Sequence, residues 1–534
     1  MSVIIGDGMF SIVESDEFYT VNTGGNITFK IRRKDYGSST RSPGDLASII
    51  YKGNEYLDPL RGSQINAGFD WLYNDTNEVS VTADNIGNDI IKITVQAGYL
   101  THYYICRNGD DNIYMGTTFS HQPEAQDNVR FILRSNSNLL PHGPEPSNLH
   151  GTTKTIESAD IFSTDEGITR SKHYSNQRLK DWDYIGATGS NVGLWIVRGN
   201  SEGMSGGPFY RSLLNQGAAD QEITYIINYG MAQTDVFRKN ILNLYTIVFT
   251  DGSSPATPDL EWMSDLNLGG WIKDDKRGKV SGKVVSGLNK EKEYTVGFSN
   301  DNAMYYSDIS PLTGEFSSPY MIPGEYKIDI FKNELSVFNS LISVNPGDIV
   351  DFGDINIDSD PSMADCLWRI GEWDGSPKEF VNGDKINIMH PSDVRMTAWG
   401  PTEYCIGTSL PDKDFFSYQW VDINSNIKIS FNIESDELKD YRLRIGITTS
   451  SQGGRPEVNL NGLVIKSGAS MQPKTRNITV GTYRGNNVMY TFDIPSKNLV
   501  IGNNNIILNV ISGSGGKGWL GPSVSFDAID LVPA

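Results

Sequence analysis

The chain has 534 residues, well past the ~250–300 at which a single hydrophobic core stops growing, so it divides into several domains. Its 65 Asp and Glu against 45 Lys and Arg leave a formal charge of −20, the wrong sign for a protein that holds nucleic acid through net charge. No run approaches the ~18 apolar residues of a membrane-spanning helix, and Met1–Thr20 lacks the basic, apolar and cleavage regions of a leader peptide, so neither nucleic acid nor membrane is expected as a partner.

In chain order, residues 1–270 read as short alternating runs such as Asn26–Ile31 (NITFKI), Ile90–Val95 (IIKITV), Val129–Leu133 (VRFIL) and Gly193–Val197 (GLWIV), separated by Gly, Asn and Asp turns. This pattern predicts a large β-sandwich. The Ser/Pro/Thr stretch from Asp251 marks its exit, with one short helix. Residues 271–360 carry strand signals with Pro-Gly turns at the rhythm of a small immunoglobulin or fibronectin type sandwich. The acidic tract at 358–365 (DSDPSMAD) reads as a linker. Residues 361–534 alternate again (IKISFNI, YRLRIGITT, VMYTFDI, VSFDAIDLV), which predicts a jelly-roll sandwich. The fold class expected is all-β throughout.

Three cysteines, Cys106, Cys366 and Cys405, form no CxxC, which argues against a zinc ribbon or a thioredoxin-like site. Cys366 and Cys405 share the last domain and pair if the compartment is oxidising. Sequons stand at Asn26, Asn74 and Asn477. No two histidines stand at metal-ligand spacing. The Gly203–Pro208 stretch, GMSGGP, is one residue from the nucleophile motif of trypsin-like proteases, but no histidine has a matching setting; a glycine-rich turn is the plainer reading.

The densest polar segment is Thr169–Gly186, with Arg170, Lys172, His173, Arg178 and Lys180 close together in an acidic protein. Read as a strand, it puts Arg170, Lys172 and Tyr174 on one face and His173 on the other, so a carboxylate ligand meets Arg170 and Lys172 together; the alternative is a solvated edge strand. In Asn128–Arg134, Arg130 shares a face with Ile132 and Arg134, which suits either a two-pronged grip on a uronate or an ordinary ion pair. Tyr225, Ile227 and Tyr229 alternate onto one face, as sugar platforms or as core.

These stretches resemble the fungal-type rhamnogalacturonan lyases of polysaccharide lyase family 4. Further matches are VRFILRSNSNLLP (129–141), TRSKHYS (169–175), SGGPFYR (205–211), RGKVSG (277–282), RIGEWDG (369–375), MHPSDVRMTAWGP (389–401), GGRPEVNLN (453–461), TYRG (482–485) and FDAIDL (526–531). The resemblance implies a galactose-mutarotase-like catalytic sandwich, a fibronectin III-like module and a jelly-roll module like carbohydrate-binding domains. It implies β-elimination at the rhamnose–galacturonate link of rhamnogalacturonan I, with no catalytic cofactor, by a secreted monomer acting on an acidic polysaccharide. Arg130 falls on the family's substrate-binding arginine and Lys172 on its catalytic lysine, which works as a base if desolvation and Arg170 disfavour its charge. Ungapped alignment of NYGMAQTDVFR (228–238) puts Met231 where the family carries its catalytic histidine, and Thr224 and Ile226 where it carries two tyrosines. The expected site is therefore Lys172 with Tyr229 and Tyr225 as catalytic groups, and Arg130, Arg170, Met231 and His173 against substrate. The alternatives are a lyase for another rhamnose–uronate polymer, a binding protein of weak or no activity, and a glycoside hydrolase with an unnamed carboxylate pair. In the last domain, Asp527 is the expected ligand of a structural Ca²⁺, and Trp373, Trp399 and Trp519 are expected sugar platforms, with core packing as the alternative.

Overall fold

A computed structural model of the chain describes residues 3–4, 10–38, 40–72, 76–122, 129–175, 178–229, 235–473, 475–482 and 485–534. Met231 and Asn74 lie outside the described residues. The protein is nearly all β, and its two described α-helices, Pro411–Asp414 and Asn477–Val480, are single turns.

The first sandwich owes its layers to strict alternation: Ile90–Ala97, for example, turns Ile91, Ile93, Val95 and Ala97 inward and the residues between them outward. An antiparallel meander of six strands runs from Val3–Ile4 to Asn54–Glu55. A seven-stranded sheet has Asn243–Thr250 and Asn112–Phe119 near its centre. A four-stranded sheet is ordered Leu213–Gly217, Asp220–Asn228, Val129–Asn136, Ser63–Ile65. One core joins all three, with Phe29 and Ile49 from the first, Val95, Met115 and Ile247 from the second, and Phe131, Leu133, Ile223 and Tyr225 from the third. Burying such side chains contributes about 1.5–3 kcal/mol each.

Alternation then places Arg130, Ile132 and Arg134, with Thr224 and Ile226 on the neighbouring strand, on the outer face of the four-stranded sheet, where Arg130 is opposite Ile226 and Ile132 opposite Thr224. A small sheet of Lys154–Glu157, Ile161–Ser163 and Thr169–Ser171 stands beside this face.

The second sandwich sets Glu315–Ser317, Lys279–Ser286 and Ile349–Asn356 against a four-stranded sheet around Val280, Phe298, Tyr326 and Ile328. The third packs two five-stranded sheets around Phe431, Leu443, Ile445, Leu508 and Phe526. Its buried Arg444 makes two parallel bonds to Asp530, Nε to Oδ1 at 2.8 Å and Nη2 to Oδ2 at 2.7 Å, a pairing that keeps both charges satisfied inside.

Several expectations for the last domain change here. Cys366, Cys405 and Cys106 are all free thiols. Trp373 is 2% exposed and donates its indole N–H to Asp530, while Trp399 donates to the Pro391 carbonyl and packs with Trp420 and Trp519. Trp373 is thus core, whereas Trp399 and Trp519 pack together and stay partly exposed. Asp527 is buried, and its Oδ1 accepts the backbone N–H groups of Asp374 and Gly375. Burial, reinforced by the charge of Asp374, holds its carboxyl well above the usual range. Among the described residues no group of three or more His, Cys, Asp or Glu is placed to hold a metal ion. The Oδ2 of Asp527 is buried with no hydrogen-bond partner among the described residues.

Candidate active site

The outer face of the four-stranded sheet, closed on one side by the segment Lys172–Ser175, forms a cleft of ≈ 160 Å³. Arg130, Lys172, His173 and Tyr229 line it, together with Thr224, Ile226, Asp160, Leu214, Glu222 and Arg476.

Lys172 does not continue a strand as the sequence reading has it. The strand stops at Ser171 and a 3₁₀ turn, Lys172–Ser175, begins. Local bonds close that turn: Ser171 Oγ accepts the His173 N–H at 3.2 Å, and Ser175 Oγ donates to the Lys172 carbonyl at 2.6 Å. The change of period brings Lys172 and His173 to one cleft, where an extended strand separates them. It also sends Arg170 elsewhere: its guanidinium bonds Glu145 at 2.6 Å and does not line the cleft.

Lys172 Nζ lies 3.3 Å from Asp160 Oδ1. Burial works against ionisation of Asp160, but a hydrogen bond from Arg476 and the charge of Lys172 hold it below the usual carboxylate range. Arg476 comes from the third sandwich and bridges two acids, with Nε to Glu157 at 2.5 Å and Nη1 to Asp160 at 2.9 Å. Arg134 is likewise paired, with Glu222 at 3.2 Å. Arg130 is different: its backbone N–H donates to Asn66 Oδ1 and its carbonyl accepts the Asn66 N–H, but among the described residues no carboxylate pairs with its guanidinium.

Tyr225 and Tyr229 part company. Tyr225 sits in the strand, fully buried, with its ring 4.6 Å from that of Tyr245 inside the sandwich core. It cannot meet a sugar. The strand ends at Asn228, so Tyr229 leaves the alternation and reaches the cleft, with its Oη 3.1 Å from His173 Nδ1. Burial, then the charge of Lys172, pushes His173 down to about 3, so the ring is neutral at physiological pH. Ser205 of the GMSGGP stretch is buried and donates to the Val236 carbonyl, in a turn and not in a triad. Arg476 and Asp160 escape the sequence reading, because their nearness to Lys172 is purely tertiary.

An arginine with no carboxylate partner among the described residues, a lysine and a tyrosine–imidazole pair thus share the outer face of one β-sheet, an arrangement whose chemistry suits acid–base work on an anionic ligand. The model of the N-terminal part of rhamnogalacturonan lyase B matches residues 10–270, and those of domains II and III of polysaccharide lyase family 4 match 276–351 and 366–531. Rhamnogalacturonate lyase A of Emericella nidulans is 33% identical over 99% of this chain and 97% of its own length. The protein of the same name from Aspergillus aculeatus is also 33% identical with the same coverage, and a probable one from Aspergillus fumigatus is 35% identical over 92% and 91%. The chain belongs to the rhamnogalacturonate lyases of polysaccharide lyase family 4, and it is a polysaccharide lyase. No described helix is long and apolar enough to cross a membrane.

Proposed function

We propose that this chain cleaves the rhamnose-(1,4)-galacturonate bond of rhamnogalacturonan I by β-elimination. The observation that carries this reading is the guanidinium of Arg130, without an acidic partner among the described residues in a cleft where Lys172 and Arg476 are paired with acids. Arg130 grips the galacturonate carboxylate through two parallel hydrogen bonds and neutralises it, so that the C5 proton becomes acidic. Lys172, as the neutral amine once its own ammonium proton has passed to solvent, takes that proton. The electron pair forms the C4=C5 double bond as the C4–O4 bond breaks, and the departing O4 receives a proton from Tyr229, whose hydroxyl is poised against His173. The product carries an unsaturated galacturonate at its new non-reducing end, and no water is consumed. The chain supplies both charge neutralisation and proton transfer, so the step needs no catalytic cofactor. A polymeric substrate places the enzyme outside the cell, where it acts as a monomer.

The second reading, a lyase for another rhamnose–uronate polymer, rests on Thr224 and Ile226 in the cleft wall, where the resemblance expects tyrosines. Ultraviolet absorbance of the unsaturated product separates the two: a rise with rhamnogalacturonan I supports the first, and a rise only with a different rhamnose–uronate polymer supports the second.

A further inference from the structure

The segment that carries Lys172 is fastened from outside its own sandwich. Thr169–Ser171 is the edge of its small sheet, paired on one side with Ile161–Ser163. Its first residue is held instead by the loop at 389–397 of the third domain. The backbone N–H and the hydroxyl of Thr169 both donate to Asp393 Oδ2, at 2.7 and 2.6 Å. The same hydroxyl oxygen accepts the His390 N–H at 3.0 Å.

Asp393 is built for this task. It is 3% exposed, and Arg395 fills its remaining lone pairs through N and Nε on Oδ1 and Nη2 on Oδ2, at 2.9, 2.8 and 2.8 Å. Every bond fixes the plane of the carboxylate, and the plane fixes Thr169. Beyond Lys172, Tyr174 Oη donates to the Thr479 carbonyl at 2.7 Å and packs with Ile161 and Val480. Lys172 and His173 thus lie between two points tied to the third domain, whose Trp399 and Trp519 pack together beside His390.

We propose that Asp393 is a positioning residue for the elimination, so that the third domain works as part of the catalytic apparatus by setting the register from which Lys172 and His173 project. This rests on the reading of Lys172 as the base. It gives the MHPSDVRM stretch a role in the reaction, and it asks for no sugar at the packed tryptophans. Misplacing a catalytic group by ~1 Å costs on the order of 10²-fold in rate.

The test is steady-state turnover of rhamnogalacturonan I by the full chain, comparing D393N with wild type. The amide keeps one acceptor oxygen and sets its NH2 either against the Arg395 N–H donors on Oδ1 or against the Thr169 donors on Oδ2, so kcat is expected to fall ~10–100-fold with KM within ~2-fold. The variant R211K loosens another tie between the domains, Arg211 Nη1 to the Gly481 carbonyl at 3.0 Å, made by two residues that do not line the cleft; it is expected to lower Tm and leave kcat unchanged. If D393N does not fold, T169V, which removes only the hydroxyl bonds, carries the same expectation to a smaller degree. Wild-type kcat in folded D393N or T169V, or a fall in kcat shared equally by R211K, overturns the positioning role. A wild-type protein that makes no unsaturated product overturns the lyase reading and this inference with it.

Discussion

The phenol of Tyr229 and the ring of His173 meet at 3.1 Å, although the two residues belong to different elements and neither continues the strand it follows. The hydrogen bond to the neutral imidazole fixes where the phenolic oxygen sits. Replacing Tyr229 with Phe keeps the ring and removes the proton, so kcat is expected to fall ~10²-fold or more with little change in stability. Tyr225→Phe, a core change of the same size, is expected to leave kcat at the wild-type value. Equal effects from the two variants would remove Tyr229 from the acid role.

Lys172→Ala is expected to lower product formation ~10²–10⁴-fold, the range for losing a general acid or base. The side chain lies at the cleft wall beside Asp160, so the far-ultraviolet circular dichroism should match that of wild type. Undiminished activity in the variant would contradict the assignment of the base.

Arg130→Lys keeps the charge and loses the planar fork. A fall in kcat/KM of ~10–100-fold is expected, carried mostly by weaker stabilisation of the carboxylate in the transition state. A variant as active as wild type would show that a point charge suffices and that the two-pronged grip is not used.

Much of the fold can be read from the sequence, and the limits have physical causes. Strands such as Ile90–Ala97 and Val488–Ile494 bury alternate residues as their sequences dictate, and the three successive sandwiches follow. The cluster of cations around Lys172 also marks the site. What misleads is extrapolating period two past a strand end. Ser171 and Ser175 close a turn with their hydroxyls, which turns His173 toward Lys172 and leaves Arg170 to Glu145. The strand end at Asn228 likewise separates Tyr229 from Tyr225. Arg476 was beyond reach, since no local pattern says which distant side chain will bridge Glu157 and Asp160.

His173 also shapes the pH dependence of stability. Its folded value of about 3 lies below the ordinary 6.5, so between these pH values the unfolded chain binds a proton that the folded chain refuses. Stability from this group is complete above pH 6.5 and is lost as pH falls toward 3. His102, buried in the core and also pushed down to about 3, acts with the same sign. Urea midpoints measured from pH 7 downward should therefore fall less steeply in His173→Gln than in wild type, without becoming flat. An unchanged slope would mean that His173 titrates normally when folded.

Gly167 offers a test of the interdomain latch by sterics alone. Its φ is +92°, and a Cβ there would lie 2.5 Å from Val394 Cγ1 in the loop that holds Thr169. Gly167→Ala is expected to cost ~1 kcal/mol or more in stability and to lower kcat through the displaced latch. Wild-type Tm and kcat would show that the loop yields freely.

The most direct measurement is the ultraviolet absorbance on mixing the folded protein with rhamnogalacturonan I, with homogalacturonan as the control. Cleavage by elimination predicts a steady rise with rhamnogalacturonan I alone, as each break leaves one unsaturated galacturonate. New reducing ends without that absorbance would mean hydrolysis, and bound polymer with neither product would mean a binding protein; either result would contradict a lyase built on Arg130, Lys172 and Tyr229.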